Sequence, residues 1–180
     1  MTENRPFLAA LDDRFLLMLG YFHAMWATLD LALCYGIGKF LGLKAEECHV
    51  LTSGMEFGRK LTLLRNLVYR SDHLHKTKIM ALLGKIQNES KRNVFAHSFI
   101  ISDQKTVTFI ERSRGGDYKV TRHNFTLKEF YAHVESLGTH AEELTHLIVP
   151  SYDEFQRFAE AALNAETKVT KSPVPPNSKA

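Results

Sequence analysis

From Leu16 to Leu43 the chain is apolar over a length that allows only two structures, a bilayer span or a buried helix. His23, Asp30 and Lys39 interrupt the run, together with Gly20, Gly36, Gly38 and Gly42. An aspartate in mid-segment, where Asp30 stands, would cost about 2.5–3.5 kcal/mol at the centre of a bilayer. The segment therefore reads as a core helix, and no membrane partner is expected. Leu8, Leu11, Phe15, Met18, Phe22, Met25, Leu29, Ala32 and Leu33 recur at helical spacing, which predicts a first long helix from Phe7 to about Tyr35. Gly36 and Gly38 are expected to loosen or end it.

The rest of the chain alternates between helical stripes and one β-rich stretch. Leu43 to His49 suits a short helical turn. Ser53-Gly54-Met55-Glu56 has capping-box spacing for a second helix with Phe57, Leu61, Leu64 and Val68 as its stripe. A third helix is expected from about Thr77 to about His97. Phe99 to Ser102, Val107 to Ile110 and Tyr118 to His123 read as strands, separated by Asp103-Gln104-Lys105 and Gly115-Gly116. Thr126-Leu127-Lys128-Glu129 is a second capping-box signature, opening a fourth helix, and Ser151-Tyr152-Asp153-Glu154 starts a fifth that should end near Leu163. The expected fold is mainly α: an antiparallel bundle of four to five helices, with a β-hairpin or three-stranded insertion after the third. It forms one domain over residues 1–164, with the β insertion at about 98–124 and a disordered tail over 165–180.

Composition narrows the function classes only slightly. The chain has 180 residues, 44% of them hydrophobic, enough for a core without disulfides or a structural metal. Cys34 and Cys48 form no C-x-x-C pair and read as buried, reduced thiols. The stretch Met1 to Arg14 lacks a signal-peptide core, so a cytoplasmic location is expected. A net charge of +3 permits a nucleic-acid partner without demanding one.

The third helix carries the most information. Ile79, Leu83 and Ile86 follow one helical face, and the same alternation continues to Ser90, Asn93 and His97. An inward stripe that turns polar needs either local hydrogen bonds or a wet cleft, because an unpartnered buried polar group costs about 1–3 kcal/mol. One arrangement is an Asn93–His97 hydrogen bond closing the end of the bundle. The other is a cleft that meets something charged, with Arg92 reaching in from the side.

Arg92-Asn93-Val94-Phe95-Ala96-His97 resembles the R-x4–6-H motif of HEPN-domain proteins, including the polar residue directly after the arginine. The resemblance extends as a pattern over roughly Phe7 to Leu147. It implies a metal-independent endoribonuclease, in RNA turnover, a toxin system or defence, with two motif helices meeting across a homodimer to form one composite site. A neutralising protein partner fits such a role. Other members bind RNA, a nucleotide or a protein without catalysis.

The chemistry fits the residue types. An imidazole titrates near neutrality and can take or give the proton at a 2′- or 5′-oxygen. A guanidinium grips phosphate oxygens with a planar fork. Arg92, Asn93 and His97 are therefore the expected catalytic residues, with Ser90 and Asp30 supporting; Asp30 would orient His97 or hold Arg92. Arg59, Lys60 and Lys91 are expected to add positive potential for an RNA backbone. Phe99, Phe109, Tyr118 and Phe125 either stack bases or pack the hairpin onto the helices. No cofactor and no metal site is expected. Gly54 to Leu61 has the wrong spacing for a phosphate loop, His140 and His146 lie on different sides of one helix, and His73 and His75 lack further ligands.

Overall fold

The computed structural model describes residues 12–102, 105–112 and 119–169. Helix α1 (Asp13–Leu41) carries the long apolar run. It begins where the Asp12 carboxylate accepts the Phe15 N–H at 3.0 Å, an N-cap bond. It passes straight through Gly36 and Gly38 and ends at Gly42, whose φ is +68°. There the Leu43 N–H bonds the Gly38 carbonyl and the Gly42 N–H bonds the Lys39 carbonyl, the paired bonds of a Schellman ending. The two internal glycines serve packing instead of termination. A Cβ at Gly36 would lie 3.1 Å from Leu64, and one at Gly38 3.0 Å from the Cys48 sulfur.

There follow α2 (Ala45–Thr52), α3 (Phe57–Arg70), α4 (Lys76–Glu89), α5 (Arg92–His97), β1 (Phe99–Ser102), β2 (Thr106–Arg112), β3 (Val120–Thr126), α6 (Leu127–Ile148) and α7 (Tyr152–Val169). The protein is mainly helical with a small antiparallel sheet inserted among the helices, as expected; the described residues form seven helices where four to five were expected, so the insertion follows the fifth instead of the third. Besides the end of α1 at Leu41 and of β3 at Thr126, three boundaries differ from the sequence reading. Ser53 closes α2, its N–H on the His49 carbonyl, and Gly54 at φ +71° turns the chain, so α3 starts from Glu56. Helix α7 runs to Val169, beyond Leu163 and into the segment expected to be disordered from Ala165, because no proline stops propagation there. Residues 103–104, 113–118 and 170–180 lie outside the described residues, and with them Gly115-Gly116 and Tyr118 of the expected second turn and third strand.

The third difference is the largest. The helix expected from Thr77 to His97 is broken at Ser90-Lys91, and Lys91 takes left-handed φ 45°, ψ 26°. The reason is a phase conflict. Phe95 follows Ile86 by nine residues, which on a continuous helix puts the two about 180° apart. Both are buried here. Only a break can turn both inward, and the same rotation turns Asn93 and His97 out of the stripe that Ile79, Leu83 and Ile86 define.

The chain divides into two compact units, one of residues up to 29 with 81–144, the other of residues 30–80 with those from 145 onward. The first is built around aromatic rings. Phe95 of α5 has its centroid 5.1 Å from Phe22, 4.8 Å from Phe109, 5.7 Å from Phe125 and 5.4 Å from Phe130. The sheet order is β1-β2-β3, with Phe99 opposite Ile110, Val107 opposite Phe125 and Phe109 opposite His123. Alternation sends Val107, Phe109 and Phe125 inward. Helix α6 opens with a reciprocal capping box: the Thr126 N–H donates to Glu129 at 2.8 Å and the Glu129 N–H to the Thr126 hydroxyl at 3.1 Å.

In the second unit Leu33, Ile37, Leu61, Leu64, Val68, Ile79 and Ile148 are buried. Cys34 and Cys48 are both free and buried, as expected. The Cys48 thiol donates to the Cys34 carbonyl at 2.9 Å, and burial, reinforced by Cys34, pushes its pKa up to about 11. Such a thiol is a packing group with little thiolate character at neutral pH.

Candidate active site

Helix α5 is held by its apolar residues and leaves Asn93 and His97 outside. Val94 and Phe95 are buried. Asn93 and His97, one turn apart, share an exposed face. Arg92 is half-buried, with its guanidinium carbon 5.9 Å from the centroid of the Trp26 ring. It stands about 140° round the helix from His97. Among the described residues no hydrogen bond or ion pair engages the side chains of Arg92, Asn93 or His97. The Asn93–His97 bond that would have closed the bundle end is not formed. Three strong polar groups are thus carried on one short clamped helix with their hydrogen-bonding capacity unspent.

The expected supporting residues fall elsewhere. Asp30 does not orient His97 or hold Arg92. Its carboxylate receives the Lys60 ammonium at 2.6 Å. Lys60 is only 8% exposed, which removes it from any RNA-facing surface. Burial works against the Lys60 charge, but the hydrogen bond to Asp30 and the adjacent Cys34 outweigh it and hold its pKa above the ordinary value. The pair is invisible to local pattern reading because its members are thirty residues apart. Removing either partner strands the other, and Lys60 is the deeper of the two. Asp30→Ala is expected to cost about 3 kcal/mol and Lys60→Met about 2 kcal/mol, while the double variant Asp30→Leu/Lys60→Met recovers most of the loss. Urea denaturation of the three variants checks this. Equal losses in all three would mean that the ion pair is not what the buried ammonium depends on.

Arg59 is exposed on α3. Lys91 is exposed too, but its ammonium lies 4.7 Å from the centroid of Phe125, which helps to offset its left-handed backbone. Ser90 is half-buried and contributes through its backbone, which hydrogen-bonds His133.

His133 is the residue that sequence reading missed. It stands on α6 three residues after Phe130 and four before Leu137, a spacing that marks the buried face. Its ring lies 5.5 Å from Phe95, and its Nε2 is buried without a partner. Burial and the nearby Lys91 charge hold its pKa below the ordinary value, only partly countered by the Ser90 backbone and Glu89. The unfolded chain therefore takes up a proton on His133 at a higher pH than the folded one does. Stability is full above about pH 6.5 and falls as the pH drops below it. Urea midpoints measured from pH 7.5 to 5.5 should decline for the wild type and decline less steeply for His133→Phe. An unchanged slope in the variant would shift the acid sensitivity to other groups.

Among the described residues no group of three or more His, Cys, Asp or Glu side chains is placed to hold a metal ion. In the second unit a cleft of about 340 Å³ lies beside Tyr35, Lys39, Glu154, Arg157 and Phe158. Two of its charges are already committed to each other, Lys39 to Glu154 at 2.7 Å. No protein-family model matches the chain, and neither a curated protein nor a solved structure matches it.

Proposed function

We propose that this chain is a metal-independent endoribonuclease that acts as a homodimer, in the manner implied by its resemblance to HEPN-domain proteins. The observation that carries the reading is the unspent set on α5: an arginine, an asparagine and an exposed histidine whose side chains have no hydrogen-bond or ion-pair partner among the described residues. Such groups raise the cost of nothing when left in water, and they are the groups that a phosphodiester engages.

In the proposed reaction one His97 imidazole takes the proton from a ribose 2′-hydroxyl. The 2′-oxygen bonds to phosphorus, and the bond from phosphorus to the 5′-oxygen breaks. The His97 imidazolium of the second copy supplies the proton to the leaving 5′-oxygen. Arg92 neutralises charge on the non-bridging oxygens, and Asn93 donates to one of them. The products carry a 2′,3′-cyclic phosphate and a 5′-hydroxyl. The angle between Arg92 and His97 within one chain is the reason a second copy enters the scheme. A chain that stays monomeric would fit the non-catalytic RNA-, nucleotide- or protein-binding alternative.

The test is incubation of purified protein with single-stranded RNA in excess chelator, with mass spectrometry of the ends and sedimentation of the protein under the same conditions. Cyclic-phosphate ends from a dimer are expected. Intact RNA at every protein concentration up to that at which the dimer forms would falsify the nuclease reading.

A further inference from the structure

The sheet that follows the motif helix has two unlike faces. The inner one is spent on the core. On the outer one Phe99 and Ile101 are 56% and 55% exposed, and Val120 is 44% exposed. The register carries Phe99 across to Ile110 and on to Arg122, and sets Arg112 opposite Val120. Side chains two apart on a strand share a face, so all six stand together. Arg112 lies diagonally over Phe99, its guanidinium carbon 4.2 Å from the ring centroid. Among the described residues the charges on this face are all cationic. The one carboxylate of β2, Glu111, belongs to the opposite face and meets His123 at 3.3 Å.

We infer that this outer face binds single-stranded RNA. The inference rests on the proposed function for its substrate class and adds where the strand lies. An exposed aromatic ring with a guanidinium laid over it offers a flat surface on which any base can stack. Two arginines without a carboxylate among them complement a phosphate backbone, whereas an apolar protein partner would have to bury both cations unpaired. Position completes the case. Phe99 follows His97 by two residues, so their Cα atoms are at most about 7 Å apart. A strand seated on Phe99 therefore lies at the end of the sheet that adjoins α5.

The experiment uses the full chain and a fluorescein-labelled 2′-O-methyl dodecauridylate, which cannot undergo 2′-oxygen attack. Fluorescence anisotropy is read from 50 to 200 mM salt for wild type, Phe99→Ala and Arg112→Ala/Arg122→Ala. Phe99→Ala is expected to weaken binding about tenfold. The double arginine variant should weaken it more than tenfold and flatten the plot of log affinity against log salt by about 1.4, two phosphate contacts' worth. Both variants change exposed side chains, and circular dichroism with sedimentation checks fold and mass. Binding unchanged in both variants, no binding by the wild type at 50 mM salt, or a change of oligomeric mass with RNA affinity intact each overturns the inference, the last in favour of a protein contact. The probe is blind to cleavage, so the two claims fail separately. Binding lost with Phe99 in a protein that never cuts RNA sinks the nuclease reading alone, and cutting that proceeds with the sheet face altered and affinity unchanged sinks this one alone.

Discussion

Phe95→Ala is expected to lower the free energy of unfolding by about 3–5 kcal/mol, the largest stability loss of any single truncation in α5. The ring is 2% exposed and meets Phe22, Phe109, Phe125, Phe130 and His133, which come from α1, two strands and α6. Removing it opens a cavity whose walls are large rigid rings, and such walls collapse poorly. A second cost follows from the backbone. The left-handed conformation of Lys91 costs about 1–2 kcal/mol and persists because α4 is pinned before it by Ile86 and α5 after it by Phe95. Without Phe95 the pin is gone, and the segment can relax toward a continuous helix that carries His97 elsewhere. Urea denaturation should show the loss in the midpoint, and Phe95→Leu should recover about half of it. A loss under 1 kcal/mol for Phe95→Ala would mean that α5 is held by something other than this ring.

Phe95 also explains where reading the sequence succeeds and where it stops. The alternation of Val107 and Phe109 and the Thr126–Glu129 box are local patterns with local causes, and β2 and the start of α6 stand where those patterns put them, while β3 runs three residues past the expected His123 to Thr126. The break at Lys91 has no local sign, since neither glycine nor proline occurs between Lys85 and His97. What forces it is that Ile86 and Phe95 must both be buried half a turn out of phase, and nothing in the string says that Phe95, more than Asn93 or His97, has the core waiting for it. Gly36 and Gly38 mislead for a related reason. A glycine that stops a helix and one that admits a neighbouring Leu64 or Cys48 are the same letter. The Asp30–Lys60 pair is a tertiary fact outright. For the site this means that the motif string is legible while its setting is not: the polar groups stand outward because the core turns them out, where the periodicity had placed them facing in.

His97→Ala should do the opposite of Phe95→Ala. Its side chain is exposed and makes no hydrogen bond or ion pair among the described residues, so unfolding free energy should stay within about 0.5 kcal/mol of wild type. RNA cleavage, by contrast, should fall by about 100- to 10,000-fold, the range for loss of a positioned acid–base group. Under the proposed function the two effects are separable because Phe95 is buried while His97 is exposed. A further consequence concerns mixtures. If one composite site uses an imidazole from each of two copies, subunits exchanged between wild type and His97→Ala yield active dimers only where two wild-type chains meet. Activity should then fall with the square of the wild-type fraction at constant total protein. A fall in direct proportion to that fraction would give each chain its own site, and the division of acid and base between two histidines would have to be abandoned even with the nuclease intact.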